Sequence, residues 1–202
     1  MVVARFRVAA LTAAALTVGA CAKKDTGAAD TTAASSTMTA DTSTMAASST
    51  STGGNWSDAN IFAILDEANM ADSSSGSIAV TKGTNSAVRG FGRRMMRDHH
   101  QLRAQGATLA KKLNVTPAPP SDDPLASDVQ KFTETLNTTA KGKDFDKAYI
   151  DGEVDVHKKV LDIATKAAAQ TQNTQLKNLI QKAAPLIQMH LDNAESIQKT
   201  LK

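Results

Sequence analysis

Aromatic side chains make up only 3% of this 202-residue sequence, with one Trp, one Tyr and five Phe. The clusters of Val, Ile, Tyr and Phe that mark β-strands are missing, so an all-α fold is expected. The single cysteine, Cys21, excludes an internal disulfide and any cysteine-based metal site. No basic run is interleaved with aromatics and no recognition-helix signature stands out, so no nucleic-acid partner is expected. The net charge of +3 does not change that. Two of the positive charges, Arg5 and Arg7, lie in a segment expected to be removed, and the rest mix with acids as a solvated helix surface does. No G-x-S-x-G element occurs, which leaves a serine hydrolase without its nucleophile turn.

The start of the chain is informative. Arg5 and Arg7 precede an apolar run from Val8 to Val18, followed by the small residues Gly19 and Ala20. This is the three-part pattern of a secretory signal peptide. At about 11 residues the run is too short to span a bilayer, which needs about 20. Val18-Gly19-Ala20-Cys21 resembles the bacterial lipobox, with Val18 where Leu is usual. That resemblance implies cleavage before Cys21, lipidation of Cys21 and stable anchoring in a membrane. Ala22 in place of Asp after the cysteine suits an outer-membrane address, with the protein facing the periplasm. Residues 22–54 are almost wholly Ala, Ser, Thr, Gly, Asp and Met, and cannot bury enough surface to offset the entropy of ordering. A disordered tether with a typical reach on the order of 30 Å is expected. The expected organisation is a signal peptide over 1–20, a tether over 21–54 and a helical domain over 55–202.

In that domain the apolar residues recur at steps of four and three. The last helix carries Leu176, Ile180, Ala183, Ile187, His190, Ala194, Ile197 and Leu201 on one seam. The second carries Val88, Gly92, Met95, His99, Leu102, Gly106, Leu109 and Leu113, with Phe91 and Met96 widening its apolar face. A third long stretch, from about Asp144 to Ala169, has a broad face that includes Tyr149, Ile150, Val154, His157 and Leu161. The first helix begins after the N-cap candidate Ser57 and runs through Ile61, Leu65, Ala68, Asp72, Ser75 and Ala79. It is expected to be the weakest, because Ser73–Ser77 has poor propensity and Gly76 alone costs up to about 1 kcal/mol. Pro117, Pro119, Pro120 and Pro124 break the chain before a short helix with Leu125, Val129, Phe132 and Leu136 on one side. Short turns near Gly83 and Gln172 make antiparallel pairs of the first two and last two long helices. The expectation is a four-helix bundle with a short crossover helix.

The histidines carry the chemical hint. His99, His157 and His190 each fall on an inward seam, on three different helices, and Asp72 falls on the seam of the fourth. Four-helix bundles build metal sites in this way. Neutral imidazoles suit zinc, copper or iron. Asp98, Tyr149 and Glu153 are placed to support such a cluster. Glu153, one turn before His157, could itself be a ligand, and Met95 could offer a thioether to copper. A structural cluster of mutually bonded buried polar groups accounts for the same pattern. The carboxylate-rich di-iron set with two Glu-x-x-His motifs is absent, which argues against ferroxidase chemistry.

Three segments resemble a known family. Phe91 to His99 resembles the F-A-x-x-M-x-x-D-H element of the bacterial domain-of-unknown-function family 4142. Phe145-Asp146-Lys147-Ala148-Tyr149-Ile150 with His157 resembles its F-D-x-A-Y-L then H element. Pro185-Leu186 with His190-Leu191 resembles its L-P-x-x-x-x-H-L element. The resemblance implies a ferritin-like helical bundle in exported or envelope-anchored proteins, with no established activity. The family often has Glu where this chain has Asp72.

Two functional readings follow. The first is a non-enzymatic envelope lipoprotein whose bundle acts structurally or binds a protein partner. The second is a metal-binding bundle, for redox work or metal storage, built on His99, His157 and His190.

Overall fold

Ser57 opens the first helix with a reciprocal cap: its hydroxyl accepts from the Asn60 amide, and Asn60 Oδ1 accepts from the Ser57 amide. The computed structural model describes residues 55–201. The expected signal peptide, Cys21 and the tether lie outside the described residues. Five helices and no strand occur among the described residues: α1 (Asp58–Lys82), α2 (Ser86–Lys112), α3 (Ala126–Thr138), α4 (Lys143–Gln170) and α5 (Thr174–Gln198). No helix among them is long and apolar enough to cross a membrane.

Side-chain caps explain most of the boundaries. Asn85 caps α2 by accepting from Ala87, and Asn173 caps α5 by accepting from Gln175 and Leu176. At the start of α3, Asp123 Oδ1 accepts from the amides of Leu125 and Ala126. Gly142, at φ 151°, supplies the turn into α4 that a side chain would strain. Asn114 leaves α2 in the left-handed region at φ 54°. Pro185 sits exposed inside α5, which is assigned as one helix throughout.

Short links of residues 83–85 and 171–173 make α1 antiparallel to α2, and α4 antiparallel to α5. The long connection from α2 through α3 sets α4 parallel to α2. The result is an up-down-down-up bundle with one crossover, the connection pattern of ferritin-like bundles. Lys82, at the end of α1, donates to the carbonyls of Leu136 and Asn137 at the C-terminal end of α3, where a cation is favoured. Asp146, buried at the start of α4, accepts from the amides of Thr84 and Asn85 and from the Thr84 hydroxyl. The aspartate of the F-D-x-A-Y segment therefore ties the α1–α2 turn to α4.

Two apolar clusters fill the bundle. One packs Ile61, Phe62, Val160, Ala164, Leu176 and Ile180; the other packs Val88, Phe91, Met95, Phe145, Ile150 and Leu191. Burying such a side chain contributes about 1.5–3 kcal/mol each. Between the clusters, along the axis, lies a polar layer of Asp72, Ser75, His99, Glu153, His157 and His190, all buried.

One expectation about packing is corrected, and one holds. The first helix runs through its serines as expected: α1 is continuous across Ser73–Ser77. There the backbones of α1 and α2 touch, and a Cβ on Gly76 would lie 2.6 Å from Gly92 O. Close helix contact replaces the propensity that Gly76 forfeits. Met96 does not widen the buried face of α2: it touches α1 near Gly76 but remains 38% exposed.

Candidate metal centre

Each long helix delivers one predicted residue to the polar layer: Asp72 from α1, His99 from α2, His157 from α4 and His190 from α5. The imidazole centroids form a near-equilateral triangle, with His99–His157 at 5.7 Å, His157–His190 at 5.6 Å and His99–His190 at 5.2 Å. One ligand atom from each of the three lies within 4.8 Å of the others. His100, one step round α2, is exposed.

Hydrogen bonds determine which nitrogen of each ring carries the proton. Asn69 Nδ2 donates to Leu65 O at 2.6 Å, which turns the amide oxygen toward His99. That oxygen can only accept, so His99 Nδ1, 2.8 Å away, is the protonated nitrogen. His157 Nδ1 donates to the Glu153 carbonyl at 2.9 Å, and His190 Nε2 donates to Asp98 Oδ2 at 3.0 Å. The other nitrogens are His99 Nε2, His157 Nε2 and His190 Nδ1. All three are buried and without a hydrogen-bond partner. Each carries a bare lone pair.

Protonation does not relieve this arrangement. Burial first, then the neighbouring His157 and His190, push the His99 pKa down to about 2. Burial also lowers that of His190, against the opposing pull of Asp98. A ring that gained a second proton would carry an uncompensated charge in a desolvated site.

Beside the rings lies a carboxyl pair. Asp72 Oδ2 is 3.4 Å from His99 Nδ1, and Glu153 Oε2 is 3.4 Å from His157 Nδ1. Asp72, Glu153 and His157 form a second group whose ligand atoms lie within 4.8 Å of one another. Burial pushes Asp72 up to about 8; burial and then the Asp72 charge do the same to Glu153, also to about 8. Without a cation beside them, burial favours the neutral form of both carboxyls. Ser75 Oγ lies 2.7 Å from Glu153 Oε1. The Tyr149 ring stacks on Phe145 and Phe132, and burial followed by the Glu153 and Asp72 charges holds its phenol well above its usual pKa. Met95 is fully buried within the apolar cluster on the Phe91 side.

The periodic seams located Asp72, His99, His157 and His190, and the three supporting residues also stand near the cluster. Asp98 orients His190, Glu153 orients His157 through its carbonyl, and Tyr149 lies against the carboxyl pair. Asn69 and Ser75 were missed as functional residues. Asn69 is three positions before Asp72 on α1, a spacing that places it on the same side of the helix, but nothing in the sequence marks it as the acceptor for His99.

Residues 39–197 match the family described as Domain of unknown function (DUF4142). No curated protein and no solved structure matches the chain.

Proposed function

The chain belongs to the DUF4142 family, and we propose that this member is an envelope lipoprotein whose bundle holds one first-row transition-metal ion on His99, His157 and His190. The observation that carries the proposal is a buried unpartnered nitrogen on each of three imidazoles whose ligand atoms come within 4.8 Å of one another. Lone pairs so placed repel unless a cation lies between them. A purely structural cluster would put protons between the rings, but acceptors outside the triangle already hold those protons. Each outer N–H is bound by an amide, a carbonyl or a carboxylate oxygen, the kind of bond that fixes ring orientation and tautomer in metal-bound histidines. Three imidazoles suit zinc, copper or iron, and a three-histidine set leaves further coordination positions for an exogenous ligand. When bound, the ion would supply Lewis acidity or, for copper and iron, redox capacity. Asp72 and Glu153 can carry the negative charge that a dication calls for.

Elemental analysis of the untagged protein, prepared without chelator, tests this. About one equivalent of metal is expected, and loss of it in the triple variant His99→Ala, His157→Ala, His190→Ala. No metal after exposure to zinc, copper and iron would overturn the proposal and return the histidines to a structural or partner-binding role. Anchoring is tested separately. Replacing Cys21 by Ser releases the protein from the membrane fraction if Cys21 is lipidated, and unchanged fractionation would refute the anchor.

A further inference from the structure

Every arginine among the described residues lies on α2: Arg89, Arg93, Arg94, Arg97 and Arg103. With Lys111 and Lys112 they stand against a single acid on that helix, Asp98. The bundle uses some of them. Arg89 donates to the carbonyls of Gly83 and Thr84, and Arg103 pairs with Asp66. Arg93 is exposed and makes no hydrogen bond or ion pair among the described residues. Arg97 is 68% exposed and engages Asp98 through its Nε alone. Arg93 and Arg97 stand four apart, a spacing at which like charges repel across one helical turn. Nothing in the fold offsets that repulsion, so it points outward, to a partner.

The surroundings are equally one-sided. Arg93, Met96, Arg97 and His100 share one face of α2, and all four are exposed. Met96 reaches over Gly76, so the face continues onto α1, whose exposed residues there are Met70, Ser74, Ser77 and Thr81. No exposed carboxylate occurs in residues 70–81 of α1 or 86–101 of α2. Asp72 is buried, and Asp98, 14% exposed, is held between Arg97 and His190.

We propose that this α1–α2 face lies against an anionic phospholipid membrane, with the Arg93 and Arg97 guanidiniums on headgroup phosphates and Met96 at the headgroup–acyl boundary. A guanidinium presents its donors as a planar fork that matches phosphate oxygens. An exposed apolar side chain between cations suits the boundary between headgroups and acyl chains. A single-stranded nucleic acid calls for aromatic side chains on which bases stack, and this face has none. Of the remaining anionic partners, a membrane is the one that an anchor at Cys21 brings within reach; the inference rests on the anchored reading for location alone. Two arginines near such a surface give roughly a 30-fold preference. That is too little to hold the free protein on a membrane and enough to orient an anchored one.

The test uses the chain from position 21 onward carrying Cys21→Ser, so that neither leader nor lipid contributes. Flotation is measured with phosphatidylcholine vesicles and with equimolar phosphatidylcholine and phosphatidylglycerol, in about 0.1 M salt, where the screening length is about 10 Å. Binding to the anionic vesicles alone is expected. Arg93→Gln with Arg97→Gln should weaken it roughly 30-fold. Lys177→Gln with Lys182→Gln removes the same charge from α5 and should leave it nearly unchanged. An environment-sensitive dye on Met96→Cys should shift its emission on anionic vesicles, and the same dye on Lys182→Cys should not. Equal binding to both vesicles, equal loss in the two double variants, or a dye response at position 182 as large as at position 96 would overturn the proposal. So would tighter binding to a single-stranded oligonucleotide or to polyglutamate, or no vesicle binding even at low salt. The vesicle comparison needs neither double variant, so it stands even if one fails to fold. Lipidation is read separately, by fractionation of the native protein, so failure of the anchor and failure of this face are distinguishable.

Discussion

Replacing Gly76 by Ala sets two physical effects against each other. In an exposed helix the change is stabilising by about 1 kcal/mol, because Ala loses less backbone freedom on folding. At Gly76 the new Cβ would lie 2.6 Å from Gly92 O and 3.1 Å from Met95 Cβ. The nearest obstacle is backbone, so α1 and α2 must separate. Forced overpacking of this kind costs about 1–3 kcal/mol. The net expectation is a loss of up to about 2 kcal/mol, or roughly 2–4 °C in Tm per kcal/mol for a domain of this size. Gly92→Ala should behave alike, since its Cβ would lie 2.7 Å from Gly76 O. Gly90 and Gly106 sit in the same α2 with nothing within 4 Å of a new Cβ, so Ala there should stabilise by about 0.5–1 kcal/mol. Urea unfolding of the four variants gives the comparison. Four similar changes would refute the close-contact argument, because propensity alone treats the positions equally. Gly92 is two turns from His99 on one face of α2, so the variants that push the helices apart should also weaken metal binding.

Three further outcomes follow from the geometry. Asp98→Ala removes the acceptor for His190 Nε2 and should weaken metal binding about 10–100-fold with little loss of helix content; unchanged affinity in a metal titration would refute its orienting role. Asp146→Ala breaks the acceptor for the amides of Thr84 and Asn85 and for the Thr84 hydroxyl, and should cost about 3 kcal/mol or more in urea unfolding. In the metal-free protein, Asp72 and Glu153 have folded pKa values raised from 3.8 and 4.5 to about 8, so the fold retains protons that the unfolded chain releases. Their contribution is present at low pH and is lost as pH rises toward about 8. His99, lowered from 6.5 to about 2, acts oppositely: its contribution is present above 6.5 and lost as pH falls below that value. The stability of Asp72→Asn relative to wild type should therefore rise between about pH 4 and about pH 8. A constant difference across that range would refute the assignment.

The order of seams and breaks along the chain sufficed for five helices, their pairing and the inward placement of His99, His157, His190 and Asp72. Each of those rests on local rules: side-chain direction repeats with the helix period, and Ser57, Asn85 and Asn173 cap where their own amide neighbours need an acceptor. Periodicity sets direction about a helix axis but not how far one helix slides along another. That stagger, held for α4 by Asp146 against the amides of Thr84 and Asn85 and for α5 by His190 against Asp98, brings the three imidazoles to one level. The tertiary structure also decided which nitrogen of each ring is bare, because the acceptors for His99 and His190 come from other helices: Asn69 on α1 and Asp98 on α2. A histidine on a seam is only a buried base. Its tautomer, and with it the capacity to bind a metal, is set by a partner that lies 30 residues away in sequence for His99 and 92 for His190.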